Sequence, residues 1–432
     1  MNSWKKLYWG LLLLTSLSTL TAEPAPSPKR RITLSLGYDE NFNSNEGMKH
    51  LPLTTIQGYS WVFDQATKMT TGETSRTALV IADIILHIPY LGQEFNYLES
   101  NWLFKEKWWP YLPAYHEFGH ARAMRAFCKT PFDGYDITVA GQKTRDDSVL
   151  WYYFHSLNYM ALNQEAVTHG SFNTQKYVQK LPIYAGGLNN ETRLSSEIAD
   201  WTYRFNGHIA YFGAYLRGKI APVSYTAKTK SGVVDNDVGD IHQITQHYKS
   251  YHPGFNMDNI QYGGLVSLLC SSTTYSFLKG YYDFIKTGDP TVRTFTWNGV
   301  RLPDVNFYFT RNGLSLEVIS GYQINPNLWV NLGVETVYYP SKSVEITPSI
   351  RYALPTSIYG MFEFDVGVVI NHYGHFSGHA GVEWTDPVTP PITLHAKLIH
   401  HNANTYVGER NIPHALKGDH DVEVMISASY NY

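Results

Sequence analysis

From about Pro303 to the C-terminus, apolar residues return at every second position. Val305, Phe307 and Phe309 form one such set, Leu314, Leu316 and Val318 the next, and Leu328, Val330, Leu332 and Val334 a third. The pattern continues through 344–350, 358–370, 376–384 and 392–398, and ends with Val422, Val424, Ile426, Ala428, Tyr430 and Tyr432. Alternation of this kind marks strands with one apolar and one polar face. The polar face carries Glu317, Asn331, Glu335, Glu345, Arg351, Glu363, Asp365, His379, Glu383, Lys397 and Glu423. Short turns such as Arg311-Asn312-Gly313 and Asn325-Pro326-Asn327 join neighbours, so the expected topology is an antiparallel meander. About eight strands of this length fit a small barrel, too narrow for a pore. Its apolar face points either inward, around a soluble core, or outward to lipid with the charges inside.

Before residue 290 the period changes to that of helices. Ala78 to Ile88 reads as a buried helix ending before Pro89, and further helices are expected at about 149–168 and 190–216. Gly134 to Ala140 alternates enough for a strand, and the aromatic run Trp102 to Trp109 is expected to wall a cleft. The fold class is therefore α+β: a mainly helical domain, 32–290, followed by an all-β antiparallel barrel, 291–432. Residues 1–22 pair Lys5 and Lys6 with an apolar run and Thr21-Ala22, which predicts a secretory signal peptide cleaved after Ala22. Residues 23–31, rich in proline and basic residues, read as a linker.

The chemistry concentrates in Tyr115 to Phe127, a helical stretch that contains His116-Glu117-Phe118-Gly119-His120. Two histidines four residues apart share a helix face and can reach one metal ion, with Glu117 beside it. Such a set holds Zn²⁺ and leaves a position for water, whose proton Glu117 accepts as general base. These residues resemble the motif of the zincin metallopeptidases, and Gly119 matches their common His-Glu-x-Gly-His form. The resemblance implies a gluzincin-like centre, in which a glutamate on a second helix supplies the third ligand. Glu191, after Gly186 and Gly187, is the first choice, with Glu197 and Glu165 as competitors. Gluzincins often carry an aspartate four residues beyond that glutamate, where this chain has Ser195.

A net charge of -3 gives no case for nucleic acid as partner. The aromatic content of 15%, with 33 Tyr and 11 Trp, is what membrane-interface proteins accumulate. The final strand, with Tyr430 and Tyr432 at its end, resembles the aromatic-terminated last strand of bacterial outer-membrane proteins. That implies lipid as a partner of the barrel, an outer-membrane location, and a catalytic domain on the periplasmic side. Cys128 and Cys270 are either joined by a disulfide or packed separately. The stretch Asp235 to Asp240 only partly matches a calcium loop and reads as a solvated acidic turn. Ile260 to Leu278 lacks charge but is too rich in Ser, Thr, Tyr and Gly to be a good transmembrane helix. His375 and His379 lie about 13 Å apart on a strand, too far for one ion. Two functions follow as expectations: an exported zinc metallopeptidase that hydrolyses peptide bonds in protein or peptide substrates, or an inactive envelope protein that keeps the domain. Oligomeric state is not read from the sequence.

Overall fold

The structure is a computed structural model that describes residues 31–39, 46–87, 115–116, 119–120, 123, 135–139, 142–145, 167–170, 181–232, 239–356, 360–374, 376–386, 392–402 and 420–431. Strand β1 (Arg31–Asp39) precedes helices α1 (Glu46–Thr67) and α2 (Glu73–His87). After these come β2 (Tyr135–Val139), β3 (Gln142–Arg145) and β4 (Val167–Gly170), then the long helix α3 (Leu181–Phe205) and β5 (Gly207–His208). Helices α4 (Phe212–Ser231), α5 (Asp240–Tyr251), α6 (Met257–Cys270) and α7 (Ser272–Thr287) follow. The rest is strand: β6 (Thr291–Val292), β7 (Thr296–Trp297), β8 (Val300–Thr310), β9 (Gly313–Asn325), β10 (Leu328–Pro340), β11 (Ser343–Thr356), β12 (Gly360–Asn371), β13 (Phe376–Thr385), β14 (Ile392–Asn402) and β15 (His420–Asn431).

The period-two segments become the consecutive strands β8 to β15 of one antiparallel sheet, in an α+β chain whose helices come mostly first. Register follows the alternation, because a slip of one residue would exchange the two faces. Glu335 accordingly lies opposite both Glu317 and Glu345. One face exposes Leu332, Ile350, Val366, Leu398 and Ile426. The opposite face is polar and gathers around the second half of α3. Asp200 of α3 lies within 3.9 Å of Arg301 on β8 and 3.7 Å of Arg351 on β11, and Arg204 pairs with Glu363 on β12 at 2.7 Å. His379 lies 3.5 Å from Asp365 on this face, while His375 is outside the described residues.

The sheet departs from the expected eight-stranded closed barrel in two ways. It has ten strands, in the order β1-β15-β14-β13-β12-β11-β10-β9-β8-β7, and its outer strands do not pair with each other. Strand β1, whose first residue fell in the expected linker, pairs with β15 from Arg31↔Asn431 to Asp39↔Glu423. Ile32, Leu34 and Leu36 do alternate, but one short isolated strand carries little signal.

Helices cover both edges of the open sheet. The Thr33 N–H of β1 donates to Gln57 of α1 at 2.8 Å, and Thr54 donates to the Thr33 carbonyl. Along β8, Asn189 of α3 bonds both backbone groups of Phe309 at 2.9 and 3.0 Å. The Val305 carbonyl accepts from Lys219, Ser267 and Ser271 at 2.5, 2.8 and 3.0 Å. Unpaired strand edges would otherwise leave buried donors and acceptors unsatisfied, at roughly 1–3 kcal/mol each.

Two helix expectations also change. Helix α2 is not buried all round: Ile81 and Ile84 are exposed. The helix expected at 190–216 is two helices, broken where Asn206 takes a positive φ of 60°.

His247 on α5 is buried, and burial pulls its pKa down to about 4. An unfolded histidine binds its proton at about pH 6.5, so between pH 6.5 and 4 the unfolded state holds more protons and stability is lost as the pH falls. Chemical denaturation at pH 7 and pH 5 is expected to show a smaller loss in His247→Gln than in the parent protein.

Candidate metal centre

Three side chains from two distant segments meet at one point. Tyr115, His116, Gly119, His120 and Ala123 are helical, as the sequence pattern requires. His116 Nε2 and His120 Nε2 lie 3.1 Å apart, and Asp240 Oδ2, from the first turn of α5, is 3.2 Å from each. Each histidine has its other nitrogen engaged. His120 Nδ1 donates to the Ile183 carbonyl at 2.6 Å, and His116 Nδ1 meets Glu191 Oε1 at 3.2 Å. Donation from both Nδ1 atoms leaves the two Nε2 lone pairs directed at the same place. That meeting calls for a positive charge at the point of convergence, a proton on one ring or a metal ion between them.

The spacing agrees with a zinc site. Tetrahedral ligands at the usual Zn–N and Zn–O distances stand about 3.3 Å from one another. Among the described residues, His116, His120 and Asp240 form the group able to hold a metal. Asp240 keeps 20% of its side chain exposed, while both histidines are buried. Charge points the same way. Burial disfavours a charged His116, but Glu191 and Asp240 outweigh it and push its pKa up to about 10. Burial likewise opposes ionisation of Asp240, yet His120 and His116 hold its pKa below the usual carboxylate range.

Glu191, the first choice as third ligand, lies instead on the far nitrogen of His116. Arg217 of α4 donates from Nε and Nη2 to the same Oε1 at 3.1 and 3.0 Å. Burial favours the neutral acid, but Arg217 and His116 keep the Glu191 pKa lowered. Such a carboxylate fixes the tautomer and orientation of a ligating imidazole. Ser195 is buried and donates to the Tyr215 carbonyl at 2.7 Å where α4 crosses α3. A Cβ on Gly218 would collide with Ser195 Oγ, so a small side chain fits this crossing. Glu191 itself takes the place beside a ligand histidine that the resemblance gave to an aspartate, and Arg217 holds Glu191 there.

The other candidates fall elsewhere. Glu197 is half-buried further along α3 and outside the converging group. Glu117, Glu165, Cys128 and the aromatic run 102–109 lie outside the described residues, as do 1–30 and 149–166, while Val167 and Thr168, expected to end a helix, belong to strand β4. Cys270 is an exposed free thiol. The strand expected at 134–140 is β2, central in the three-stranded sheet β3-β2-β4.

Asp240 is the residue that sequence reasoning missed. It belongs to the acidic stretch read as a solvated turn, and a glutamate was sought because of the gluzincin resemblance. Its one signal is position: Gly239-Asp240 opens an amphipathic helix, whose Ile241, Ile244 and Tyr248 are buried in the apolar cluster beside β8.

No family model matches the chain, and no curated protein is similar to it. Among solved structures, the crystal structure of Neisserial surface protein A aligns at 23% identity over 28% of this chain and 84% of that one, with a TM-score of 0.14. A score this low establishes no shared fold.

Proposed function

We propose that this chain is a zinc metallopeptidase whose centre is held by His116, His120 and Asp240, with Glu117 as general base. The observation that supports it is the convergence of the two histidine nitrogens of a His-Glu-x-x-His sequence with the Asp240 carboxylate oxygen of α5. Bound zinc would supply a Lewis acid and a water of lowered pKa. The protein's own contribution is positional. Ile183 and Glu191 orient the imidazoles, Arg217 keeps Glu191 ionised, and the Tyr225 ring stacks on His116 with centroids 5.5 Å apart. Glu117 accepts the proton of the attacking water and passes it to the leaving amine. Substrates are peptides or proteins.

We further propose that the sheet lies in the outer membrane. Its apolar face is exposed and its charged face is packed on α3, the polarity of outer-membrane barrels rather than of soluble ones. The sequence favoured a periplasmic catalytic domain. One connection favours the outer side: the centre lies by the Phe309–Thr310 end of the sheet, from which the longest connection, 403–419, leaves β14.

Metal analysis of protein purified without chelator, paired with hydrolysis of an unstructured protein substrate, tests the enzyme reading. About one zinc per chain is expected, with activity lost to chelator and restored by zinc. Protein that takes up no zinc when it is offered would end it. Glu191→Gln is expected to weaken zinc binding by roughly 10–100-fold while keeping stoichiometric uptake at high zinc, because its role is on the second nitrogen of His116.

A further inference from the structure

The uncharged stretch from Asn259 to Leu278 is not used by the metal centre. Among the described residues no helix is long and apolar enough to cross a membrane alone. Yet α6 and the first half of α7 have the polarity of a water-soluble helix turned inside out. Their polar residues face inward: Ser267, Ser271, Ser272, Thr273, Thr274 and Ser276 are all buried. Ser267 and Ser271 bond the Val305 carbonyl, Ser272 bonds the Leu302 carbonyl at 2.8 Å, and Ser276 accepts from the Phe295 N–H at 3.3 Å. Several large apolar residues face outward, with Tyr262 58% exposed, Leu265 43%, Leu269 47% and Leu278 50%, while Ile260 and Phe277 pack in the core.

A helix in water buries its apolar stripe and solvates its polar one. The reverse is what a non-aqueous surrounding selects, since hydrocarbon cannot satisfy hydroxyls but tolerates leucine. Position adds to this. Packing neighbours run from one edge of the sheet to the other: β1 on α1, α1 on α2, α2 on α7, and α6 on β8. Tyr59 of α1 donates to Asp83 of α2 at 2.6 Å, Tyr281 of α7 donates to the same Asp83, and Arg76 of α2 donates to the Ile285 carbonyl at 2.8 Å. Ile81 and Ile84 are exposed on α2, between α1 and α7. Charges flank the uncharged stretch: Lys230 meets Asp258 in the first turn of α6, and Lys279–Asp283 and Lys286–Glu73 pair along the second half of α7.

We infer that α6, with α2 and the first half of α7, completes the lipid-facing wall that the open sheet lacks, and that bilayer acyl chains cover Tyr262, Leu265, Leu269 and Leu278. This rests on the reading of the sheet as a membrane wall. The seam between β8 and β1 is then a helical insert. Its hydroxyls serve the sheet edge and its leucines meet lipid.

The test uses the full chain in phospholipid vesicles. Single nitroxide labels are placed at Cys270 in a Cys128→Ser background and, with both cysteines replaced by serine, at Leu265→Cys, Val366→Cys, Leu398→Cys and Asp258→Cys. Collision with oxygen is compared with collision with a water-soluble nickel chelate. Positions 265, 270, 366 and 398 are expected to favour oxygen several-fold, and position 258 to favour nickel. Nickel-accessible labels at 265 and 270 beside oxygen-favoured labels at 366 and 398 would overturn the helical wall and leave the sheet reading standing. Nickel access at all four would overturn both. A diazirine-bearing acyl-chain lipid, photolysed with the unmodified protein, needs no substitution: adducts within 262–278 support the inference, and adducts confined to the strands refute it.

Discussion

Asp240→Ala is expected to purify without zinc, and Glu117→Gln with it, while both lose about a hundred-fold or more in peptide hydrolysis. The pair separates holding the metal from using it. Asp240 Oδ2 stands 3.2 Å from both Nε2 atoms, and its removal leaves two imidazoles, fewer than the three protein ligands of catalytic zinc sites. The loss of affinity should therefore exceed the roughly 10–100-fold expected of Glu191→Gln, whose carboxylate acts through His116. Glu117 is adjacent to a ligand in sequence, and its contribution is to the proton. Glu117→Gln should keep about one zinc per chain and lose roughly a hundred- to ten-thousand-fold in turnover. Zinc analysis and hydrolysis on the same preparations decide the matter. If Asp240→Ala retained full zinc and Glu191→Ala lost it, the ligand assignment would revert to Glu191.

That exchange between Glu191 and Asp240 shows where sequence reasoning reaches its limit. The motif histidines share a face by helix periodicity, a local property, and the structure brings them to 3.1 Å. The third carboxylate is set by how α5 docks against α3, well over a hundred residues from the motif, and no spacing rule carries that information. Glu191 was still a meaningful choice, since it lies on His116 rather than elsewhere. The sheet divides in the same way. Strands β8 to β15 were legible because alternation and short turns are local. The pairing of β1 with β15 joins positions at opposite ends of the sequence, and the hydroxyls that cap β8 look like ordinary helix polar residues until their partners are known. Outward apolar exposure on α2 was missed for a related reason: a run such as Ala78 to Ile88 reads the same whether protein or lipid covers it.

Gly119→Ala and Gly186→Ala are each expected to destabilise the fold, by about 3 kcal/mol, the upper end of the overpacking range. The two glycines face each other where the motif helix crosses α3. A Cβ on Gly119 would fall inside the contact shell of the Gly186 carbonyl and of Asn190 Cβ, and one on Gly186 would meet the Gly119 carbonyl and His120 Cα. These are backbone atoms of two packed helices, so relief requires the helices to separate. Separation would carry His116 away from Glu191 and His120 away from Ile183, so zinc affinity should fall with stability. Gly187→Ala acts more narrowly: its Cβ would enter the His116 ring itself, and the expected result is lost zinc with a smaller change in unfolding. Gly58→Ala is the control. Nothing lies within 4 Å of a Cβ there, and alanine inside α1 should stabilise by about 0.5–1 kcal/mol. Opposite signs from one substitution at Gly58 and Gly119, read by denaturant midpoint and zinc content together, would tie the glycine of the His-Glu-x-Gly-His sequence to helix approach. Equal signs would leave Gly119 without a packing role and move the explanation to the conformation of the motif helix alone.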